Sequence, residues 1–250
     1  MYPLKTILLF TLLMHALFAN DIPIKSIFEA KDLNGTLLIS SLHDKEYSYN
    51  MPRAEKRFTP ASTFKIAHTL IALEEQVVTQ DENIKWDEKI RTYEAWNKDQ
   101  TLQSAIAVSC VWCYQQFANV ITNDTYLNYL KQMNYGNGKT GLEKSTFWLN
   151  SELKISAREQ VEFLKKLYRN ELPFHQKHLD FTKEILVIEK NKNYTMRVKT
   201  GFSNGLGWYI GYVETKEDVW FFALNMDINN TQLSYRKEVL FEALKVLYIL

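Results

Sequence analysis

The chain has 250 residues, 46% hydrophobic and 14% aromatic, and its 30 basic and 29 acidic residues leave a net charge of +1. The aromatic content excludes intrinsic disorder. The near-zero charge excludes a polybasic surface for nucleic acid or anionic lipid. This length fits one compact unit or two closely joined lobes, burying roughly 70% or more of the surface an unfolded chain exposes.

The N-terminal MYPLK carries a lysine ahead of TILLFTLLMHALFA, an apolar run broken by one histidine. The run falls short of the roughly 20 apolar residues of a membrane span and closes on the small Ala19. Residues 1–19 are therefore expected to be a signal peptide removed after export. Residues 20–250 are expected to form an exported, soluble protein. Next, SIFEAKDLNGTLLISSLHD reads as two strands joined around Asn34-Gly35, a turn pair suited to a hairpin.

A helical region is expected from Ser62 to about Arg169. It opens with TPASTFKIAHTLIALEE, which puts Ser62 and Lys65 one turn apart on one face, ahead of the apolar run Ile66 to Leu73. Lysine is almost never buried without a partner, yet this stretch offers no carboxylate before Glu74. A serine needs a base to become a nucleophile, and a lysine can be that base if burial lowers its pKa. The helix start also offers free N–H groups to a developing oxyanion. S-x-x-K alone is common on surface helices; the apolar run behind it gives it meaning.

SCVWCYQQ sets Cys110 and Cys113 in C-x-x-C spacing without the βαβ context of a redox pair and without spaced ligands for zinc. Export permits a disulfide; two buried thiols on one helix are the alternative. YGNGKTG places Gly136, Gly138 and Gly141 in G-x-G-x-x-G spacing, and its Lys139 and Thr140 resemble the end of a P-loop. It follows the amphipathic helix TYLNYLKQMN rather than a strand, and Met133 stands where the first P-loop glycine belongs. No nucleotide site is expected.

SAREQVEFLKKLYR opens with a capping box, Ser156 and Glu159, and Val161, Leu164 and Leu167 share one face. After Ile185 the pattern turns to strands: YTMRVKTGF, LGWYIGYVE and DVWFFALNMD. Lys199-Thr200-Gly201 closes the first of them, where a glycine lets a ligand approach the backbone. Leu233 to Leu250 is expected to be helical, with Val239, Leu240, Ala243, Leu244 and Leu247 apolar. The expected fold is α+β: an antiparallel sheet from both chain ends (about 20–60 and 185–250) and an all-helical lobe (about 61–184).

A serine-lysine pair at a helix head with K-T-G on an edge strand is the pattern of penicillin-recognising enzymes. Class A β-lactamases carry S-D-N between the two; this chain has Ser109-Cys110-Val111. The sequence resembles instead the class D, OXA-type, serine β-lactamases, throughout its mature length. STFK at Ser62 looks like the family's nucleophile motif, SCV at Ser109 its S-x-V, YGN at Tyr135 its Y-G-N, and KTGFS at Lys199 its K-T-G. FWLNSELKISAREQ is similar to the family's tryptophan loop, and ALNMD followed by Arg236 in LSYRKEV to its C-terminal segment. Asn150 and Ser151 depart from the acidic residue and glycine usual after W-L, which bears on loop conformation.

The resemblance implies a β-lactamase/transpeptidase-like fold and hydrolysis of penicillin-type β-lactams, giving antibiotic resistance, through an acyl-enzyme on Ser62. In the family the buried lysine, here Lys65, is carbamylated by carbon dioxide to N6-carboxylysine and serves as general base in both half-reactions. Trp148 would donate its indole N–H to the carbamate, and Val111 would pack against it. The backbone N–H groups of Ser62 and Phe202 would form the oxyanion hole. Ser109 and Lys199 would relay a proton to the ring nitrogen, and Thr200, Gly201 and Arg236, with Lys199, would bind the substrate and its carboxylate. Tyr135 and Asn137 shape a loop. No metal or cofactor beyond carbon dioxide is implied. The partner is a small-molecule β-lactam, with no nucleic acid and no membrane after signal removal, and the place of action is the bacterial periplasm. Two other functions share the serine-lysine logic: a β-lactam sensor that stays acylated, and a cell-wall DD-peptidase. Steady turnover separates enzyme from sensor.

Overall fold

The computed structural model describes residues 22–250 apart from Ser151. The expected signal peptide, residues 1–19, lies outside the described residues, as do Ser151 and the Asn150 side chain.

A six-stranded antiparallel sheet forms the frame, in the order β2-β1-β6-β5-β4-β3. Its N-terminal strands are β1 (Gly35–Ser41) and β2 (Glu46–Tyr49). The C-terminal ones are β3 (Val187–Lys190), β4 (Tyr194–Ser203), β5 (Leu206–Thr215) and β6 (Val219–Asp227). The first strand pairs with the last, Gly35 opposite Met226 and Ser41 opposite Trp220, so both chain ends build one sheet. Side chains alternate across a strand, and here both faces are covered. Leu37, Ile39, Phe222 and Leu224 pack into one cluster with α1 (Ile22–Ala30) and α10 (Tyr235–Val246). Leu38, Phe221 and Ala223 face the opposite way, against α8 (Ala157–Arg169), where Val161, Leu164 and Leu167 are buried. The uninterrupted apolar runs of β5 and β6 follow from this double covering.

Asn34-Gly35 does not join two strands. Ile22–Ala30 is helical because Ile24, Ile27 and Phe28 recur at helical spacing and bury against the C-terminal helix. The hairpin lies further along, between β1 and β2, with Leu37 opposite Tyr49 and Ser40 opposite Glu46.

The helical region is also less continuous than its pattern suggests. After the short α2 (Met51–Glu55), a single 3₁₀ turn, Ala61–Phe64, leads into α3 (Lys65–Glu74), which is buried from Lys65 to Leu73. From Glu75 to Thr101 regular structure is limited to a 3₁₀ turn at Glu94–Trp96 and a bridge between Ile84 and Gln100. Helices resume with α4 (Leu102–Ala107), α5 (Val111–Val120), α6 (Asn123–Met133), α7 (Phe147–Asn150) and, after α8, α9 (Gln176–Ile185). The capping box of α8 is complete: Glu159 N–H donates to Ser156 Oγ at 3.1 Å, and Ser156 N–H to Glu159 Oε2 at 2.9 Å. No helix among the described residues is long and apolar enough to cross a membrane.

Candidate active site

Three chain segments meet at one cleft of about 290 Å³, lined among others by Ser62, Ser109, Val111, Thr200, Phe202 and Arg236. The first segment is the 3₁₀ turn that ends at Lys65. Ala61 holds a left-handed φ of 49°, which sets Ser62 at the head of the buried helix. Thr63 Oγ1 donates to Pro60 carbonyl oxygen at 2.7 Å and accepts from Gln160 Nε2 at 2.8 Å. Trp208 Nε1, from β5, donates to Thr59 carbonyl oxygen at 2.9 Å. The turn bearing Ser62 is thereby fastened from both sides.

Lys65 is fully buried, with its Nζ 3.1 Å from Ser62 Oγ and 5.0 Å from the Tyr114 ring centre. Among the described residues no carboxylate pairs with it. Burial, and after it the positive Lys199, holds its pKa well below that of a free lysine. Burial therefore favours its neutral amine form over the ammonium. Trp148 is fully buried and packs against Phe64 and His68, which lie before and one turn after Lys65 in the chain. Its indole Nε1 is buried and has no hydrogen-bond partner among the described residues. An orphaned buried donor is costly. An anion on Lys65 would supply the acceptor it lacks.

The second segment is the bend between α4 and α5. Ser109 takes a left-handed φ of 53°, a strained conformation for a serine. Cys110 caps the next helix, and its sulfur is bridged to Cys113 in the first helical turn. Of the two sequence alternatives, the disulfide is the one formed. Trp96 Nε1 donates to Val108 carbonyl oxygen at 2.9 Å, and Trp112 Nε1 to Trp96 carbonyl oxygen at 2.9 Å, tying this bend to the 3₁₀ turn at Glu94–Trp96.

The third segment is the end of β4. The short β3 pairs with β4 only as far as Val187 opposite Arg197, so Lys199 to Ser203 form an open edge. A Cβ on Gly201 would stand 3.0 Å from Pro60 carbonyl oxygen and 3.1 Å from Thr63 Cγ2. A side chain there would crowd the turn bearing Ser62, and glycine lets the strand lie close against it. Lys199 Nζ donates to Ser109 Oγ and, at 3.0 Å, to Thr200 carbonyl oxygen. Arg236, from α10, donates through Nη1 to Gly201 carbonyl oxygen at 2.9 Å.

Burial, followed by the charge of Arg236, pushes Lys199 down to about 7. In the unfolded chain it returns to about 10.4. Between those values the unfolded state binds the extra proton, so stability rises with pH there. Lys199→Met should therefore be more stable than the parent at pH 6, and the gap should shrink as pH rises from about 7 toward 10. Urea unfolding of both proteins at several pH values reads this directly. A gap independent of pH would refute it.

The sequence-derived candidates thus fall around one cleft or directly behind it; Tyr135 is buried edge-on against Phe64, ring centres 5.6 Å apart, and Asn137 lies further off. Asn137 instead braces a loop, accepting from Lys154 N–H at 3.0 Å and donating to Glu152 carbonyl oxygen at 2.7 Å. The motif reading missed His68 and Tyr114. His68 is fully buried, with Nε2 2.6 Å from Tyr126 Oη, and burial followed by Lys65 lowers its pKa well below the usual value. A polar residue one turn past Lys65 in an apolar run was the available signal. Leu149, Tyr93, Trp96 and Leu233 also line the cleft.

Comparison with known proteins agrees with this geometry. Residues 29–245 match the penicillin-binding protein transpeptidase domain. The chain is 43% identical over 183 residues to β-lactamase OXA-20 of Pseudomonas aeruginosa, covering 73% of this chain and 69% of that protein. It is 39% identical over 222 residues to OXA-10 of the same organism, covering 85% and 84%. Among solved structures, a class D β-lactamase from Nostoc superposes with a TM-score of 0.88 at 38% identity, covering 91% of this chain and 99% of that one. FUS-1 (OXA-85), a class D β-lactamase from Fusobacterium nucleatum subsp. polymorphum, gives 0.87 at 38% identity, covering 90% and 96%. With a buried serine-lysine pair facing a K-T-G strand, and with relatives alike over most of their length, this chain belongs to the class D serine β-lactamases.

Proposed function

We propose that the protein hydrolyses penicillin-type β-lactams through an acyl-enzyme on Ser62, with Lys65 as the base in both half-reactions. The observation that carries this reading is the fully buried Lys65, 3.1 Å from Ser62 Oγ, with no carboxylate partner among the described residues and with the unpartnered indole donor of Trp148 packed on its chain neighbours Phe64 and His68. Carbamylation fits these residues, because only a neutral amine attacks carbon dioxide and burial favours the neutral form of Lys65. As a carbamate, Lys65 carries an anionic oxygen base where an ammonium group offers none. Trp148 would donate to that anion, offsetting the cost of a buried charge.

Ser62 then attacks the lactam carbonyl, and the backbone N–H groups of Ser62 and Phe202 stabilise the oxyanion. Lys199, poised near neutrality and bonded to Ser109, delivers a proton through that hydroxyl to the leaving ring nitrogen. Thr200, Gly201 and Arg236 hold the substrate, Arg236 by the planar fork that suits a carboxylate. Val111 packs at the base and restricts water. The open edge of β4 leaves its backbone available to the substrate amide, as in strand addition. The protein would act in the bacterial periplasm, as one catalytic unit after loss of residues 1–19.

The test is hydrolysis of benzylpenicillin by purified protein, followed by acid quench and peptide mapping. Steady turnover with a penicilloyl adduct on the peptide containing Ser62 supports the reading. A stoichiometric burst with no turnover would indicate a sensor, and an adduct on another residue would overturn the assignment.

A further inference from the structure

At the far end of α3 from Lys65, about 14 Å away at 1.5 Å per residue, three side chains converge outside the active cleft. Glu74 ends that helix; His175 caps α9 and His178 lies in its first turn. Both imidazoles direct Nδ1 at the one carboxylate: His178 Nδ1 is 2.8 Å from Glu74 Oε2, and His175 Nδ1 contacts Oε1. The backbone N–H of His175 fixes the carboxylate further, 3.0 Å from Oε2. Glu74 and His178 are mostly buried, with side-chain exposures of 14% and 9%, whereas His175 is 73% exposed.

We propose that Glu74, His175 and His178 form a zinc site. One donor atom from each residue lies within 4.8 Å of the others. Donors bound tetrahedrally at about 2.0–2.1 Å stand about 3.3 Å apart. A cation replacing the two shared protons needs only a small opening of the triad, and the exposed His175 ring can pivot to allow it. Two imidazoles and a carboxylate match zinc, whereas calcium and magnesium take all-oxygen shells. The triad opens on a cleft of about 570 Å³ whose wall includes Asp81, so a fourth ligand, carboxylate or water, has room. The His175 imidazole makes no capping bond to its own helix, so a pivot of the ring breaks no helix cap. The ion would clip the end of the helix that begins at Lys65 to the start of α9. It would take no part in the reaction at Ser62, and it holds whether or not penicillins prove to be the substrate.

The test uses untagged protein stripped with chelator, then titrated with zinc chloride. At a hundredfold excess over Kd the melting temperature should rise by about 5–10 °C. Magnesium and calcium chloride should leave it unchanged. His175→Ala, a change at an exposed position, should remove most of the zinc shift while keeping the parent's zinc-free melting temperature and penicillin turnover. His178→Ala should remove the shift too. Cobalt(II) should give the visible ligand-field absorption of a four- or five-coordinate site, lost in His175→Ala. No zinc shift in the parent, a shift that survives in the His175→Ala/His178→Ala double variant, or a lowered melting temperature would overturn the proposal.

Discussion

Lys65→Ala is expected to lower both acylation and deacylation by roughly 10²–10⁴-fold, the range for loss of a general base. If one group serves both steps, as proposed, the acyl-enzyme should form slowly and then persist. Mass spectrometry should find it on Ser62 long after free penicillin is consumed. The same account makes the parent enzyme sensitive to carbon dioxide. Carbamates decompose when protonated, so activity should fall in acid before the fold is lost, and added bicarbonate should restore it and straighten a biphasic progress curve. Trp148→Ala should mimic part of this loss, with partial rescue by bicarbonate, since the anion then lacks its indole donor. If Lys65 instead works as a plain neutral amine, bicarbonate has no effect at any pH. A carbon-13 spectrum of active protein equilibrated with labelled bicarbonate, showing no carbamate resonance, would reject the carbamate.

Gly136→Ala is expected to be strongly damaging although it lies outside the cleft. Gly136 has φ of 55°, and a Cβ there would lie 2.1 Å from the Lys154 carbonyl oxygen, a backbone atom that cannot swing aside. The loop it belongs to is bonded to the segment leaving the tryptophan helix, with Asn137 N–H donating to Lys154 carbonyl oxygen at 2.9 Å. That segment pairs in turn with Phe58, ahead of the turn bearing Ser62. A loss of about 3 kcal/mol or more, a fall of roughly 6–12 °C in Tm, follows from strain and clash together. Gly138→Ala is the internal control: its φ is 64°, but nothing lies within 4 Å of the added methyl. It should cost only the left-handed conformation, about 1–2 kcal/mol. Equal losses in the two variants would show that the Lys154 contact is unimportant.

The parts of the fold that the sequence made legible are those set by local rules. The capping box at Ser156, the helical face of Val161, Leu164 and Leu167, and the strand bearing Lys199 are each written in a few neighbouring residues. Asn34-Gly35 is a strong local hairpin signal, whereas the helix Ile22–Ala30 before it is favoured only by packing against the distant C-terminal helix. C-x-x-C spacing fits both a bridge and free thiols, so the disulfide has no unambiguous local signature. His68 and Tyr114 each read as core without tertiary contacts. Glu74 and His175 are 101 residues apart in the chain, so their meeting has no local signature.

Ala61 and Ser109 both sit in left-handed backbone on either side of the cleft, beside two buried lysines. For anyone evolving this protein in the laboratory, the most accessible gains in heat resistance therefore lie where they do the most harm. Glycine at either strained position, or an apolar residue in place of a buried ammonium, would relax the molecule and dull it together. A selection on thermal survival alone would drift toward a robust, inert scaffold. Selection that also demands turnover would be driven outward, to helix ends and surface loops, where stability can be added without disturbing the strained backbone around Ser62.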